Sequence, residues 1–530
     1  MADRVRRIVR FAAAALVFAL SLAVVVYYVL GPAEGYFHSD STDTIFWAEA
    51  SYVSGMAVNP DFNYAAILPI GGNLLMGIWM PFFGTSMTTQ ALGMLSFLVV
   101  LAAALLFFFR SMRFGWTGTL FYAGLVLLAL SATDKLREMF WGHVIYYSIY
   151  VVFLLVGFGL LARLERTGAV RSWKTWVLLG ALFAYAALVA IDGLQLVFIV
   201  LVPIGGAIAA ERYFDYRRPL AAKANLPVWI VLATIAVGAL TGLRILAALK
   251  HGQVAGYADA WYAITPISTW REHLEKIPEH WITLLGGGVP TDPAATFIVA
   301  ENFASLGFSL FLAVFPLLSL VVFRKAGTLF KVFAVQHFAL SVLIFLACVF
   351  GSLGAANWRW IPVVASALIL TVLTIRELSA QFSAPRFAVP FALVLLAFAA
   401  LNAIEIARMD ADYGRDNRYH VLAAELAERG LTYGYADFWI AQAVTVVSDG
   451  EVRVRSVNVD ATNGLTPYYY QSAFSWYEAQ EGVDRYFVVM TTAGYNQLRA
   501  SDMYDEIVPH WVETFSVEGY SILVFNENVF

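Results

Sequence analysis

The chain has 530 residues, of which 34 are Lys or Arg and 38 Asp or Glu, so charged side chains make up 14%, where an ordinary soluble protein carries roughly a quarter. With 60% hydrophobic residues and a mean hydropathy of +0.70, the apolar surface exceeds what a water-soluble fold can hide, and lipid is the only solvent available on that scale. The near-neutral balance of −4 leaves no basic stripe for a nucleic acid, and the single cysteine, Cys348, excludes a disulfide framework and a Cys-based metal site.

Arg4, Arg6, Arg7 and Arg10 precede an apolar run from Phe11 to Leu30 that is too long for a signal-peptide core, so an uncleaved membrane helix is expected there. Runs of spanning length follow at about 89 to 109, 114 to 131, 143 to 162, 174 to 191, 193 to 210, 227 to 249, 303 to 323, 330 to 350, 359 to 376 and 387 to 407, which makes eleven. Cytoplasmic loops carry the Lys and Arg excess. Arg110 and Arg113, then Arg163, Arg166, Arg171 and Lys174, then Arg212, Arg217, Arg218 and Lys223, then Arg324, Lys325 and Lys331, then Arg376 and Arg386 all fall in alternate loops. These loops and the N-terminus therefore share the cytoplasmic side. Loops at about 31 to 88, 132 to 142, Asp192, 250 to 302 and 351 to 358 lie opposite, with everything after about 408. Residues 66 to 83 are apolar enough to tempt a further span, but that would invert every later loop. Pro69, Gly71, Gly72 and Pro81 make them an interfacial or re-entrant segment instead.

After about 408 the composition turns charged and alternating. A helix is expected from Arg415 to Glu428, closed by Gly430, and strands at 452 to 459, 486 to 490 and 520 to 525. The fold class is thus an α-helical polytopic membrane protein of about eleven transmembrane helices (1 to 407, with large outer loops 31 to 88 and 250 to 302) followed by a small extracytoplasmic α/β domain (408 to 530).

Charged residues are costly near a bilayer, and there they are functional candidates by default. FHSDSTDTIFWAEA (37 to 50) places His38, Asp40, Asp43 and Glu49 soon after the first span. Asp40 and Asp43, three apart, share a face if this stretch is helical, and a partly desolvated carboxylate beside Phe46 and Trp47 would serve as a general base. The competing reading is that these acids solvate a loop and cap a helix beginning near Thr44. TDKLREMFWGH (133 to 143) holds Asp134, Lys135, Arg137, Glu138 and His143, with Trp141 suited to an interfacial belt. Asp192 in LVAIDGLQLVF is either a hairpin turn or an acid in need of a partner, for which Lys135, Arg137 or Arg359 is available. In GAANWRWIPVV, Arg359 stands between Trp358 and Trp360 with Pro362 just beyond, placed either to clamp a phosphate or to snorkel to lipid headgroups. His251, His273 and His280 are too irregularly spaced for a metal site, and Asp410 and Asp412 read as juxtamembrane solvation.

This layout resembles the GT-C superfamily of glycosyltransferases, which includes protein O-mannosyltransferases and lipid A aminoarabinose transferases. The resemblance covers the whole chain in architecture and short stretches in motif. It implies a catalytic carboxylate at Asp40 in HSDSTD, with Asp43 second, and a lipid-phosphate motif at Arg359-Trp360-Ile361-Pro362. Asp40 is followed by Ser41 rather than by the Asp-Glu pair of mannosyltransferases. GYADFW (434 to 439) and AFSWYEA (473 to 479) look like tail segments of bacterial relatives. The resemblance further implies a bacterial cytoplasmic-membrane enzyme that transfers a sugar from a polyprenyl phosphate to an extracytoplasmic glycan, lipid or protein. Asp40 would be the base, Asp43 its support, and Arg359, Lys135, Arg137, Asp192 and His143 the substrate-binding set. No cofactor is required, and a divalent cation is left open. The alternative is a transporter or lipid flippase, although such proteins usually show inverted repeats and charges at mid-bilayer.

Overall fold

The computed structural model describes residues 2–64, 67, 70–167, 172–216, 226–250, 263–288, 296–382, 385–411 and 417–530. Arg171, Arg217, Arg218, Lys223, His251, Asp412 and Arg415 lie outside the described residues. Ten helices among those described are long and apolar enough to cross a membrane: Ala2–Leu30, Met87–Ser111, Tyr146–Thr167, Trp173–Ile191, Leu194–Arg212, Leu226–Leu249, Glu301–Lys325, Thr328–Phe350, Asn357–Gln381 and Ala388–Arg408. The Tyr146–Thr167 and Asn357–Gln381 helices are the most buried of the ten and form the centre of the bundle. Outward faces of the others carry exposed Leu16, Val99, Val177, Leu240 and Leu310. An apolar exterior around an apolar core is the signature of a lipid-solvated bundle. Where the Leu226–Leu249 helix meets Trp173–Ile191, Gly238 and Gly242 let the backbones touch. A Cβ on either would stand 2.6 Å from the Phe183 carbonyl oxygen or 2.2 Å from that of Ala187, which is the small-residue spacing of close membrane-helix packing.

The span expected at 114 to 131 is the short helix Trp116–Ala129, 14 residues or about 21 Å, against a hydrocarbon thickness of about 30 Å. Its ends nevertheless lie at opposite ends of the bundle. Just before it, the Met112 carbonyl accepts from Arg376 at the end of the Asn357–Gln381 helix remote from Arg359. Just after it, the Ser131 carbonyl accepts from Arg137, which also pairs with Glu405 near the end of the last span. The segment Asp134–Gly142 then turns 112° away. Counted with the segment that follows it, this short helix is an eleventh candidate pass among the described residues. Residues 70 to 83 form no span: a wide helical turn at Ile70–Met76 and a short helix at Met80–Phe83 pack on the first outer loop and the second span.

Tyr27 near the end of the first span donates to the Met409 carbonyl just past the last, at 2.6 Å. The first helix thus starts at the end of the bundle remote from the C-terminal domain, as an odd number of passes requires. In intact cells an impermeant thiol reagent should label Glu451→Cys and not Arg166→Cys, since Cys348 itself is buried. Labelling of both, or only of Arg166→Cys, would defeat the inside-to-outside assignment.

Beyond the bundle, Asn417 caps the helix Arg418–Glu428 by accepting from Tyr419 N at 2.9 Å. Strands β2 (Tyr433–Ala436), β3 (Arg453–Asp460), β4 (Gly464–Pro467), β6 (Tyr486–Met490), β7 (Trp511–Val517) and β8 (Tyr520–Phe525) make a six-stranded sheet in the order β4-β3-β2-β6-β8-β7. β2 runs parallel to β3 and β6, and the other pairs are antiparallel. Strand β6 is a continuous apolar run because both its faces are covered. Tyr486, Val488 and Met490 pack with Tyr435 and Leu523 on one side, while Phe487 and Val489 join the larger core on the other. Two short strands, β1 (Phe62–Asn63) and β5 (Ser472–Ala473), pair antiparallel and fasten the loop after the first span to this domain.

Candidate active site

The polar stretch after the first span folds as a tight helical turn, Ser39–Thr42, running directly into the helix Asp43–Ser54. In such a turn residues three apart eclipse, so Asp40 and Asp43 face the same cavity. No side chain caps that helix. The acids are therefore not spent on capping. Phe46 and Trp47 behind them are buried, and the Trp47 indole donates to Gln471 Oε1.

The second wall comes from Thr133 to His143. The Thr133 side chain accepts from Leu136 N at 3.1 Å, capping the short helix Asp134–Arg137, and a wide turn, Glu138–Gly142, delivers His143 in extended conformation. His143 Nδ1 lies 2.7 Å from the Asp40 carbonyl oxygen. Gln90 Nε2 donates to the carbonyls of Ser41 at 3.1 Å and Gly142 at 2.6 Å, which ties the two walls together. Lys135 pairs with Glu138 and sits over the Trp358 ring, 4.7 Å from its centroid. Glu138 also lies 3.5 Å from His38 Nε2. Arg359 begins the helix that Pro362 opens, and its guanidinium donates to the Tyr147 hydroxyl.

Asp40, Asp43, Lys135, Glu138, His143, Tyr147, Trp358 and Arg359 all line one cavity of about 840 Å³. Arg137 and Asp192 do not line it. Arg137, 1% exposed, pairs with Asp134 at 2.5 Å and Glu405 at 2.8 Å. Asp192 is buried in the turn between two spans, and among the described residues neither of its carboxylate oxygens has a hydrogen-bond partner. The pairing with Lys135, Arg137 or Arg359 open to it in the sequence is not made, because those cations are engaged elsewhere. Trp141, suited by sequence to an interfacial belt, is instead fully buried, donating to Ser131 Oγ at 2.8 Å.

Burial pushes the Asp43 carboxyl well above the usual range and the charge of Asp40 pushes it further, against a hydrogen bond from Gln471. Burial likewise raises Glu138, but the His38 hydrogen bond and the charges of His143, His38 and Lys135 outweigh it and hold the carboxyl down at about 2. Burial lowers the His143 imidazole, against the charge of Glu138. The cavity thus holds Asp43, a buried carboxyl biased toward its protonated form, beside a second carboxyl, Asp40. Among the described residues no three His, Cys, Asp or Glu side chains cluster to hold a metal ion.

The third wall was not foreseen. It comes from the C-terminal domain: Asp437, Phe438 and Trp439 at the start of the helix Phe438–Val447, Tyr468, Tyr470 and Gln471 before β5, and Asn458 on β3. GYADFW contained three of these residues, but no periodicity in the sequence aims them at the membrane. Thr42 donates to Gln442 Oε1 at 2.7 Å and Gln442 donates to the Gln471 carbonyl at 3.1 Å, so the domain is docked on the turn that carries Asp40.

No protein-family profile and no curated protein sequence matches the chain. Among solved structures, ArnT from Cupriavidus metallidurans bound to undecaprenyl phosphate is similar over 98% of this chain and 97% of its own, with a TM-score of 0.51 and 12% identity. Its apo form is similar over 98% of each chain, with a TM-score of 0.50 and 12% identity. The oligosaccharyltransferase of Archaeoglobus fulgidus is similar over 94% of this chain and 72% of its own, with 12% identity and a TM-score of 0.42. These similarities show that the chain shares the fold of ArnT over nearly its whole length.

Proposed function

We propose that the protein is a membrane glycosyltransferase. It moves a sugar from a polyprenyl-phosphate carrier to an acceptor on the side of the membrane that holds the C-terminal domain, the outer side by the distribution of Lys and Arg. The observation that carries this reading is the single cavity with carboxyls Asp40 and Asp43 on one wall and cations Lys135 and Arg359 on another. The ArnT structure of the same fold, which holds undecaprenyl phosphate, supports a carrier of that chemistry.

In the proposed step the acceptor hydroxyl oxygen attacks the anomeric carbon while the bond from that carbon to the phosphate oxygen breaks. Its electron pair leaves with the carrier phosphate, and the acceptor proton passes to Asp40. A single displacement inverts the anomeric carbon. The carrier phosphate gains negative charge as it leaves, and a guanidinium fork with a neighbouring ammonium meets that charge where it develops. Burial biases Asp43 toward its protonated form, which limits the negative charge facing the phosphate.

The test is binding of undecaprenyl phosphate to purified protein in nanodiscs. Arg359→Lys keeps the charge but loses the fork, and should weaken binding by about 1 to 3 kcal/mol, with Arg359→Ala weaker still. Unchanged binding by Arg359→Ala would make Arg359 a headgroup anchor. Purified protein that moved a lipid-linked sugar across vesicles without transferring it would make the chain a flippase.

A further inference from the structure

We propose that the acceptor is a carbohydrate, held by an aromatic shelf that the C-terminal domain builds over the cavity. This rests on the glycosyltransferase reading and adds the acceptor's class. Trp439 lines the cavity and is 57% exposed, a large apolar ring left uncovered at the mouth of a concave site. Its backbone is fixed at the helix start, where its N–H donates to the Asp437 carboxyl at 2.9 Å. Beside it, Tyr468 and Tyr470 lie nearly parallel, with centroids 5.8 Å apart and planes at 25°. Phe438 meets both edge-on, at 6.0 and 5.3 Å, and holds them in that attitude.

Aromatic faces carry negative quadrupole charge, and a pyranose ring presents a patch of weakly positive C–H groups that fits such a face. The sugar's hydroxyls then need partners at the rim. Asn458 and Gln497, both exposed and both lining the cavity, supply carboxamides that donate and accept at once. The domain contributes no Lys, Arg or His among the described residues that line the cavity. That composition is poorly suited to an acidic peptide or a phosphorylated headgroup and well suited to a neutral polyhydroxyl chain. The shelf lines the same cavity as Asp40, Lys135 and Arg359, so a sugar resting on it can present a hydroxyl toward Asp40 while the carrier phosphate meets the cations.

The test uses full-length protein in nanodiscs and saturation-transfer NMR with chitotetraose, maltoheptaose and mannotetraose, and with a neutral peptide of similar length as control. Undecaprenyl phosphate binding is measured on the same samples. At least one oligosaccharide should receive saturation from the wild-type protein, and Trp439→Ala should weaken its binding by about tenfold or more without changing undecaprenyl phosphate affinity. Because Trp439 is exposed, its loss does not unmake the fold. The proposal is overturned if none of the oligosaccharides binds, if Trp439→Ala binds them as wild type does, or if the peptide binds through Trp439 in their place. Loss of undecaprenyl phosphate binding by the wild type would instead defeat the donor reading, and the oligosaccharide arm would still be readable.

Discussion

Asp40→Asn is expected to reduce turnover about a hundredfold or more while leaving undecaprenyl phosphate binding intact. Asparagine keeps the shape and the hydrogen bonds of the carboxylate but cannot take the acceptor's proton, so the loss falls on the chemical step. Asp43→Asn should cost much less, because burial biases the Asp43 carboxyl, 8% exposed, toward its protonated form, which asparagine resembles. The two variants, assayed for transfer at matched expression, decide the order. An active Asp40→Asn beside a dead Asp43→Asn would reverse the roles, and two active variants would remove this loop from the chemistry.

The same burial has a stability consequence with a definite sign. The Asp43 carboxyl is raised on folding, so the folded chain holds a proton that the unfolded chain releases. Its contribution is fully present below the ordinary carboxyl pKa and is lost as pH rises toward the folded one. Asp43→Asn cannot suffer that loss. Its thermal midpoint, relative to wild type, should therefore be unchanged in acid and climb progressively through the weakly acidic range. A midpoint difference that stayed flat with pH would show Asp43 to be ionised in the folded protein.

Arg137→Met is expected to have the largest effect on stability. Arg137 is fully buried, and it joins the broken segment after the short span to Glu405 on the last span while also donating to the Ser131 carbonyl at 3.1 Å. Removing the guanidinium leaves Glu405 and the Ser131 carbonyl without that donor, at about 2 to 4 kcal/mol. The loss should appear as a lower thermal midpoint in detergent, with undecaprenyl phosphate affinity per folded molecule preserved. A variant of normal stability and impaired lipid binding would return Arg137 to the substrate-binding set that its sequence position implies.

Much of this protein is legible in its sequence because lipid leaves so little choice. Runs of about twenty apolar residues must be helices with internally satisfied backbones, and the alternation of Lys and Arg between loops orders them. The ten to eleven candidate spans and the broken stretch at 70 to 83 follow from this. The short pass at Trp116–Ala129 appeared in the sequence as a longer run, since composition does not show that Ser131 to His143 must turn aside to build a wall of the site. Within the C-terminal domain, strands β6 and β8 were legible as β-branched and aromatic runs. By contrast β2, the edge strands β4 and β7 and the helix Phe438–Val447 were missed, because YGYA is too short and the helix too uniformly apolar to show a period. Asp40, Asp43, Lys135, His143 and Arg359 were marked by charge at a membrane boundary, a local property. Their gathering into one cavity, the diversion of Arg137 into a structural pair, the isolation of Asp192 and the aromatic wall set by Trp439 and Tyr470 were decided by tertiary structure. The docking of that wall on the Asp40 turn rests on the β1–β5 pairing and the Thr42–Gln442 hydrogen bond, between segments some 400 residues apart, and the Arg137–Glu405 pair spans 268 residues; contacts at such separations leave no trace in local periodicity or charge.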